Sequence, residues 1–420
     1  MKVLLLCLVC LLGLNGAWAD ETEVLKKISS MTDLSGIVMI GDGRSVHYQQ
    51  SFGFADHAKG QPIDEHTLFP LASLTKPFTA LAVSQLADHG KLSFDDPVSC
   101  YLSEFAPHPT LTIRNLLEHR SGLVRDLTDT HQISPYEPIS TEALIDRIAD
   151  ALLQSEPGRT YSYSNANYQV LAALVEVVSQ QSYEAYLMDH IFNPSGMTST
   201  HVLHGFAPAE LAKGHAGSRL LASYHFSHAY GSGNLASTAA DLHRFVASLA
   251  YGLFGPPSAL LGWMHGSLLG HRYIEHTGHL GSGYATCLRY FWEDDLAVIV
   301  LLNTLYPDIL EVVDALGASA LQMEPREQNV RVWKPAKPMF EPVAFQSDDG
   351  QTLVLQIRNN ILTVIPQTGR TVYLQQAGEG GYHDPEHPLF THHLIADENN
   401  TLIAYEVRGL VRTKRYFRVE

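Results

Sequence analysis

Four side chains in two short stretches of this chain have the types and spacing needed for acyl transfer. Ser73-Leu74-Thr75-Lys76 lies where a β-rich segment gives way to a helical pattern. Residues three apart share a helix face, so the Ser73 hydroxyl and the Lys76 amine point the same way. A serine hydroxyl is a weak nucleophile until a neighbouring base or cation eases the loss of its proton, and a lysine amine can do so. The helix start adds orphan N–H donors and a positive dipole end, and Pro77 is tolerated in the first turn. Taken alone, Ser-x-x-Lys is a common tetrapeptide and proves nothing. Tyr163-Ser164-Asn165 follows Pro157-Gly158. In extended backbone Tyr163 and Asn165 face one side and enter one cleft. A phenol beside a cation can relay a proton, and an asparagine can donate to a substrate carbonyl while accepting from a lysine. A capping Asn beside a half-buried Tyr is the plainer reading of that triplet.

A third triplet, His276-Thr277-Gly278, closes a strand pattern over Arg272 to His276. His276 and Thr277 offer donors to a substrate carboxylate or carbonyl, and Gly278 lets a substrate lie close against the strand edge. The plainer alternative is a strand end running into a Gly-rich turn.

These residues need a scaffold that joins distant parts of the chain. Gly36 to Ile40 and Ser45 to Phe52 read as strands joined by Gly41-Asp42-Gly43, a hairpin signal. Helical patterns follow at Thr79 to Leu86, Ile113 to His119, Thr141 to Gln154, Asn167 to Ser179, Tyr183 to Ile191 and Thr238 to Ser248. Strands return at Arg272 to His276, Gly283 to Trp292 and Leu296 to Leu302, before a closing helix from Asp308 to Met323. Strands at both ends with helices between imply an α+β domain over residues 20–325, an antiparallel sheet flanked by helices. Pro325, Pro335, Pro338 and Pro342 then punctuate an extended stretch. Six alternating runs beyond it predict a small antiparallel β domain over 331–420, a partial barrel or sandwich. That domain is a stabilising appendage, a wall over the active site or an oligomer contact, and the sequence does not choose.

Composition narrows the function. The 420 residues carry 28 Lys and Arg against 44 acids, a formal net charge of −16 with no basic run. A surface that tracks phosphates is not expected, so neither is nucleic acid. Lys2, the apolar run Val3 to Leu14 and Ala17-Trp18-Ala19 have the layout of a secretory signal peptide over residues 1–19, cleaved before Asp20. Twelve apolar residues are too few to span a membrane, and no later run is longer. The mature protein is expected to be exported, periplasmic or secreted. Cys7 and Cys10 leave with the signal, and Cys100 and Cys287 read as two buried free thiols. Neither His225/His228 nor His392/His393 has carboxylate or thiol partners at metal-site spacing, so no metal or other cofactor is expected.

Together the three triplets resemble, in order and spacing, the penicillin-recognising serine hydrolases: class C β-lactamases, D-alanyl-D-alanine carboxypeptidases, and related esterases and D-aminopeptidases. The resemblance extends to Leu111 to Leu123, Pro157-Gly158, Asn193 to Met197 and Gly233 to Leu242, and it spans about Ser35 to Met323. It implies a β-lactamase/transpeptidase-like fold with a helical subdomain. It gives Ser73 the nucleophile's position, Lys76 its partner's, Tyr163 the proton relay and Asn165 the substrate-amide contact. His276, Thr277 and Gly278 take the place of a Lys-Thr-Gly strand motif, and the backbone N–H groups of Ser73 and His279 form the oxyanion hole. The chain departs from the pattern at Arg120, Ser195, Asn234 and His276. A histidine of ordinary pKa is mostly neutral at pH 7 and pulls less on a carboxylate than lysine does.

The expected function is an exported serine hydrolase that cleaves an ester or amide through a Ser73 acyl-enzyme. Its substrate is a D-amino-acid peptide, a small ester or a β-lactam. Lys76 and Tyr163 share the proton transfers, and their coupling leaves the base role undivided. The rival is a penicillin-fold binding protein or receptor that acylates with little turnover.

Overall fold

The computed structural model describes residues 34–127, 133–217, 219–254, 261–305 and 308–322, and eight further strands between 343 and 418. The segment expected to be a leader, with Cys7 and Cys10, and the proline-punctuated stretch lie outside the described residues. Six antiparallel strands form the main sheet: β1 (Gly36–Gly41), β2 (Val46–Phe52), β3 (Met264–Leu268), β4 (His271–Leu280), β5 (Tyr284–Phe291) and β6 (Leu296–Leu302). Their spatial order is β3-β4-β5-β6-β1-β2, so the N-terminal hairpin completes a sheet begun by the C-terminal strands.

Both faces of this sheet are covered, which explains why Leu296-Ala297-Val298-Ile299-Val300-Leu301-Leu302 is apolar throughout. Val298, Val300 and Leu302 face the helix α7 (Ile309–Gln322), packing with Val312, Val313 and Leu316. Ala297, Ile299 and Leu301 face the larger core with the helical region. At the centre of that region is α1 (Lys76–Asp88), in which ten of thirteen residues are buried, so it shows no amphipathic face. Around it lie α2 (Ile113–Leu117), α3 (Thr141–Asp150), α4 (Asn165–Ser179), α5 (Tyr183–Leu187) and α6 (Ala239–Ala250). Among the described residues no helix is long and apolar enough to cross a membrane.

The α+β class holds, and several local readings change. Strand β4 runs on to Leu280, so His276, Thr277 and Gly278 sit within a strand and not at its end. Edge strand β3 was not read from the sequence, because Met264-His265-Gly266-Ser267-Leu268 has little apolar alternation. Cys100 and Cys287 are both free, but only Cys287 is buried; Cys100 is exposed. The C-terminal strands form a closed eight-stranded antiparallel barrel. Its two unread strands are Val343–Ser347 and Gly381–His383. Phe345, Leu353, Leu355, Leu362 and Val364 alternate into its interior.

Candidate active site

The nucleophile turn is held by three neighbours. Phe69–Pro70 pairs with Leu235–Ser237, which pairs with His201–Val202, and Leu71 N donates to Leu235 O at 2.7 Å. Next comes Ala72 in the left-handed region (φ 51°), a conformation that costs a non-glycine residue energy and that recurs at functional turns. A 3-10 turn over Ala72–Thr75 then leads into α1, whose first residue is Lys76. The carbonyl of Leu71 accepts from Thr286 Oγ1 at 2.7 Å, which ties the turn to β5.

Gly278 has a different purpose from the one the sequence suggested. A Cβ there would lie 2.1 Å from Leu71 O, 2.5 Å from Thr286 Oγ1 and 2.9 Å from Ala72 Cβ. The missing side chain lets β4 approach the nucleophile turn, not a substrate. Gly278→Ala is therefore expected to displace Ser73 and lower its rate of labelling by an alkyl fluorophosphonate about a hundredfold. Labelling within threefold of wild type would refute this packing role.

Ser73, Lys76, Tyr163 and Asn165 come together as expected. Lys76 is fully buried, and its Nζ lies 3.0 Å from Ser73 Oγ, 2.6 Å from Asn165 Oδ1 and 2.9 Å from the Ser232 carbonyl oxygen. Burial holds its pKa down at about 7, while Asp126 pulls it up and Arg125 pushes it further down. Lys76 Nζ also lies 4.9 Å from the centroid of the Tyr163 ring. The Tyr163 phenol is hydrogen-bonded to Ser73, yet burial raises its pKa to about 12. At neutral pH it is a proton donor.

Asn165 reaches the cleft by another route than strand alternation. Ser164 is the N-cap of α4, with its Oγ accepting from Asn167 N at 3.3 Å, and Asn165 is the first helical residue. Its Nδ2 is engaged: both carboxylate oxygens of Asp126 lie 2.9 Å away. The predicted contact to a substrate amide competes with Asp126 for that donor.

His276 is 3% exposed, and its Nδ1–H donates to the Thr277 carbonyl oxygen at 2.7 Å. That bond fixes the tautomer with Nε2 unprotonated. Burial, and then the nearby Lys76, pull its pKa down to about 3. It is a neutral acceptor, not a weak cation. Thr277 is half-buried, and His279, whose backbone was assigned to the oxyanion hole, has an exposed side chain. Both lie on the length of β4 that packs against the nucleophile turn.

Three participants escaped the sequence reading: Asp126, the ring of His119 and the Ser232 carbonyl. His119 leaves α2 with φ 55° and stacks on Tyr163 at 4.4 Å between centroids. Its Nδ1 accepts from Ser164 N at 3.1 Å, and burial followed by the Lys76 charge drops its pKa to about 3. Ser232 belongs to a loop braced by Asn234, whose Oδ1 accepts from Gly231 N at 2.9 Å. So the departure at Asn234 does bear on the site, through the loop that holds Lys76. Contacts between residues dozens of positions apart left no sequence signal, though His119 sits inside one of the quoted motifs.

The sheet, the helical region and a buried lysine against a serine define the penicillin-recognising serine hydrolase scaffold. Residues 24–322 match the family model described as Beta-lactamase, and the chain belongs to that family. It is 36% identical over 176 residues to penicillin-binding protein 4* of Bacillus subtilis (strain 168), covering 40% of this chain and 38% of that protein. It is 34% identical over 194 residues to esterase EstB of Burkholderia gladioli, covering 42% and 48%. The chain thus spans less than half the length of these two curated relatives. The octameric penicillin-binding protein homologue from Pyrococcus abyssi superposes with a TM-score of 0.62 at 19% identity, over 94% of this chain and 100% of that one. That likeness is one of fold.

Proposed function

We propose that this protein is an exported serine hydrolase that forms an acyl-enzyme on Ser73 from an uncharged ester or amide. The observation that carries the reading is the bonding around Lys76 Nζ. A neutral amine has two N–H groups and one lone pair. Asn165 Oδ1 and the Ser232 carbonyl are acceptors only and take the two N–H groups. The lone pair is left for the Ser73 hydroxyl, 3.0 Å away. A pKa of about 7 makes half the lysines neutral near pH 7, where a general base works best.

The proton paths then separate. Ser73 Oγ attacks the carbonyl and its proton passes to Lys76. Tyr163, protonated at rest, gives its proton to the leaving group as the C–O or C–N bond breaks, and Lys76 ammonium restores the phenol. Water reverses the path and releases the acid. The backbone N–H groups of Ser73 and His279 are assigned to the developing oxyanion, a contribution of about 3 kcal/mol each. Neutral His276 favours an uncharged substrate, and an esterase among the relatives supports the same class. Export rests on the signal layout of residues 1–19.

The test is p-nitrophenyl acetate hydrolysis at millisecond resolution, followed by mass mapping of the trapped intermediate. A burst of about one equivalent, then steady turnover, with the acetyl group on the peptide containing Ser73, is the expected result. Stoichiometric acylation of Ser73 without turnover would favour the binding-protein reading. A burst that survives Ser73→Ala would overturn both.

A further inference from the structure

The direction of the hydrogen bond between Lys76 and Ser73 depends on which way round the Asn165 amide sits. With Oδ1 towards Lys76, the lysine donates to Asn165 and to Ser232 O and keeps its lone pair for Ser73. With the amide reversed, Nδ2 would face Lys76 and take that lone pair, so a lysine N–H would point at Ser73. The serine proton would then face no free lone pair of a base, only the protonated Tyr163 phenol. We propose that Asp126 is the positioning residue of this site: a carboxylate that accepts only, it holds Asn165 Nδ2 and so aims Oδ1 at Lys76 and the Lys76 lone pair at Ser73. This inference rests on the acyl-enzyme reading above.

The geometry is specific. Both Asp126 oxygens lie 2.9 Å from Asn165 Nδ2, and Asn165 Oδ1 lies 2.6 Å from Lys76 Nζ. Asp126 follows directly on Val124, whose carbonyl accepts from Ser164 Oγ at 2.6 Å, and Arg125, whose carbonyl accepts from Asn165 N at 2.8 Å. The segment carrying the carboxylate and the helix start carrying the amide are thereby locked together.

Asp126 also acts on Lys76 through its charge. The titratable groups that face Lys76 are Asp126, Arg125, His119, His276, Tyr163 and Tyr168. The two histidines are neutral and the two tyrosines protonated at pH 7. That leaves Asp126, which raises the lysine pKa, and Arg125, which lowers it. Arg125 is the more exposed of the two, at 63% against 24% for the side chains. Removing the Asp126 charge must therefore move the lysine pKa down.

The experiment is the rate of Ser73 labelling by an alkyl fluorophosphonate from pH 5 to 9, with the full chain. In this step Ser73 Oγ bonds to phosphorus, the P–F bond breaks, fluoride leaves and the serine proton goes to Lys76. Wild type should show an acid limb with a midpoint of about 7. Asp126→Asn keeps an acceptor but loses the charge, so its midpoint should fall by about one unit with a plateau within about threefold of wild type. Relative to its own plateau, labelling at pH 5.5 would then rise about eightfold. Asp126→Ala loses the acceptor too, and its plateau should drop by about tenfold.

An unmoved midpoint in both variants overturns the inference, whatever happens to the plateau, because a merely structural role predicts that pattern. A wild-type plateau in Asp126→Ala also overturns it. If Asp126→Ala does not fold, Asp126→Asn decides by its midpoint. Labelling that persists in Ser73→Ala overturns the acyl-enzyme reading itself, and is distinguishable from failure of the Asp126 role alone.

Discussion

Lys76→Met is expected to lower fluorophosphonate labelling of Ser73 by about a thousandfold, the usual worth of a well-placed general base. The same substitution should change how stability responds to alkali. An unfolded lysine titrates at the ordinary 10.5, whereas buried Lys76 titrates at about 7. Between those values the unfolded chain binds more protons than the folded one, so stability climbs as pH rises. Methionine removes that dependence. From pH 7.5 to 9.5, wild type should gain about 2–3 kcal/mol of unfolding free energy relative to Lys76→Met. The variant also leaves Asn165 Oδ1 and the Ser232 carbonyl without a donor, at about 1–3 kcal/mol each. That cost does not depend on pH and cancels from the comparison. Urea denaturation at the two pH values measures the difference. Parallel responses in the two proteins would mean that Lys76 is protonated in the fold, and the base would then have to be sought elsewhere.

The sequence carried the parts of this site that are local. Ser73 and Lys76 are three residues apart at a helix start, and helix geometry alone brings them together. Tyr163 and Asn165 were placed in one cleft correctly but for the wrong reason: Ser164 caps α4, so Asn165 points in from a first helical turn and not from a strand. Gly278 was read as space for a ligand, and the space is filled by Leu71 and Ala72. The difference lies in the strand's far neighbour, 206 positions away in sequence, which no local pattern encodes. Asp126 was missed for the same reason. Its partner is 39 positions on, and an acid beside Arg125 in a loop looks like any solvated pair. Edge strand β3, three of its five residues exposed, lacked the apolar run that marked β1 and β6.

His276 stands where the resemblance expects a strand-motif lysine, and the two side chains differ in what they offer a substrate carboxylate. Nδ1–H is spent on the Thr277 carbonyl, and Nε2 carries a lone pair. Burial disfavours its charged form, and protonation would put a second cation beside Lys76, which is why its pKa sits near 3. A substrate carboxylate brought to Nε2 meets lone pair against lone pair. An N–H or O–H donor does not, and an ester oxygen, which lacks the full negative charge, is repelled less. The consequence is a preference readable within one scaffold: a β-lactam free acid and its methyl ester differ only in that charge. Wild type should acylate at least as fast with the methyl ester as with the acid. His276→Lys supplies a charged donor, and a charge-assisted hydrogen bond is worth about 1.5–3 kcal/mol. The ratio of acid to ester acylation rates should therefore rise about 10- to 100-fold. A ratio that already favours the acid in wild type, and does not rise in the variant, would show that the carboxylate is held by other groups. The neutral histidine would then have no part in selecting the substrate.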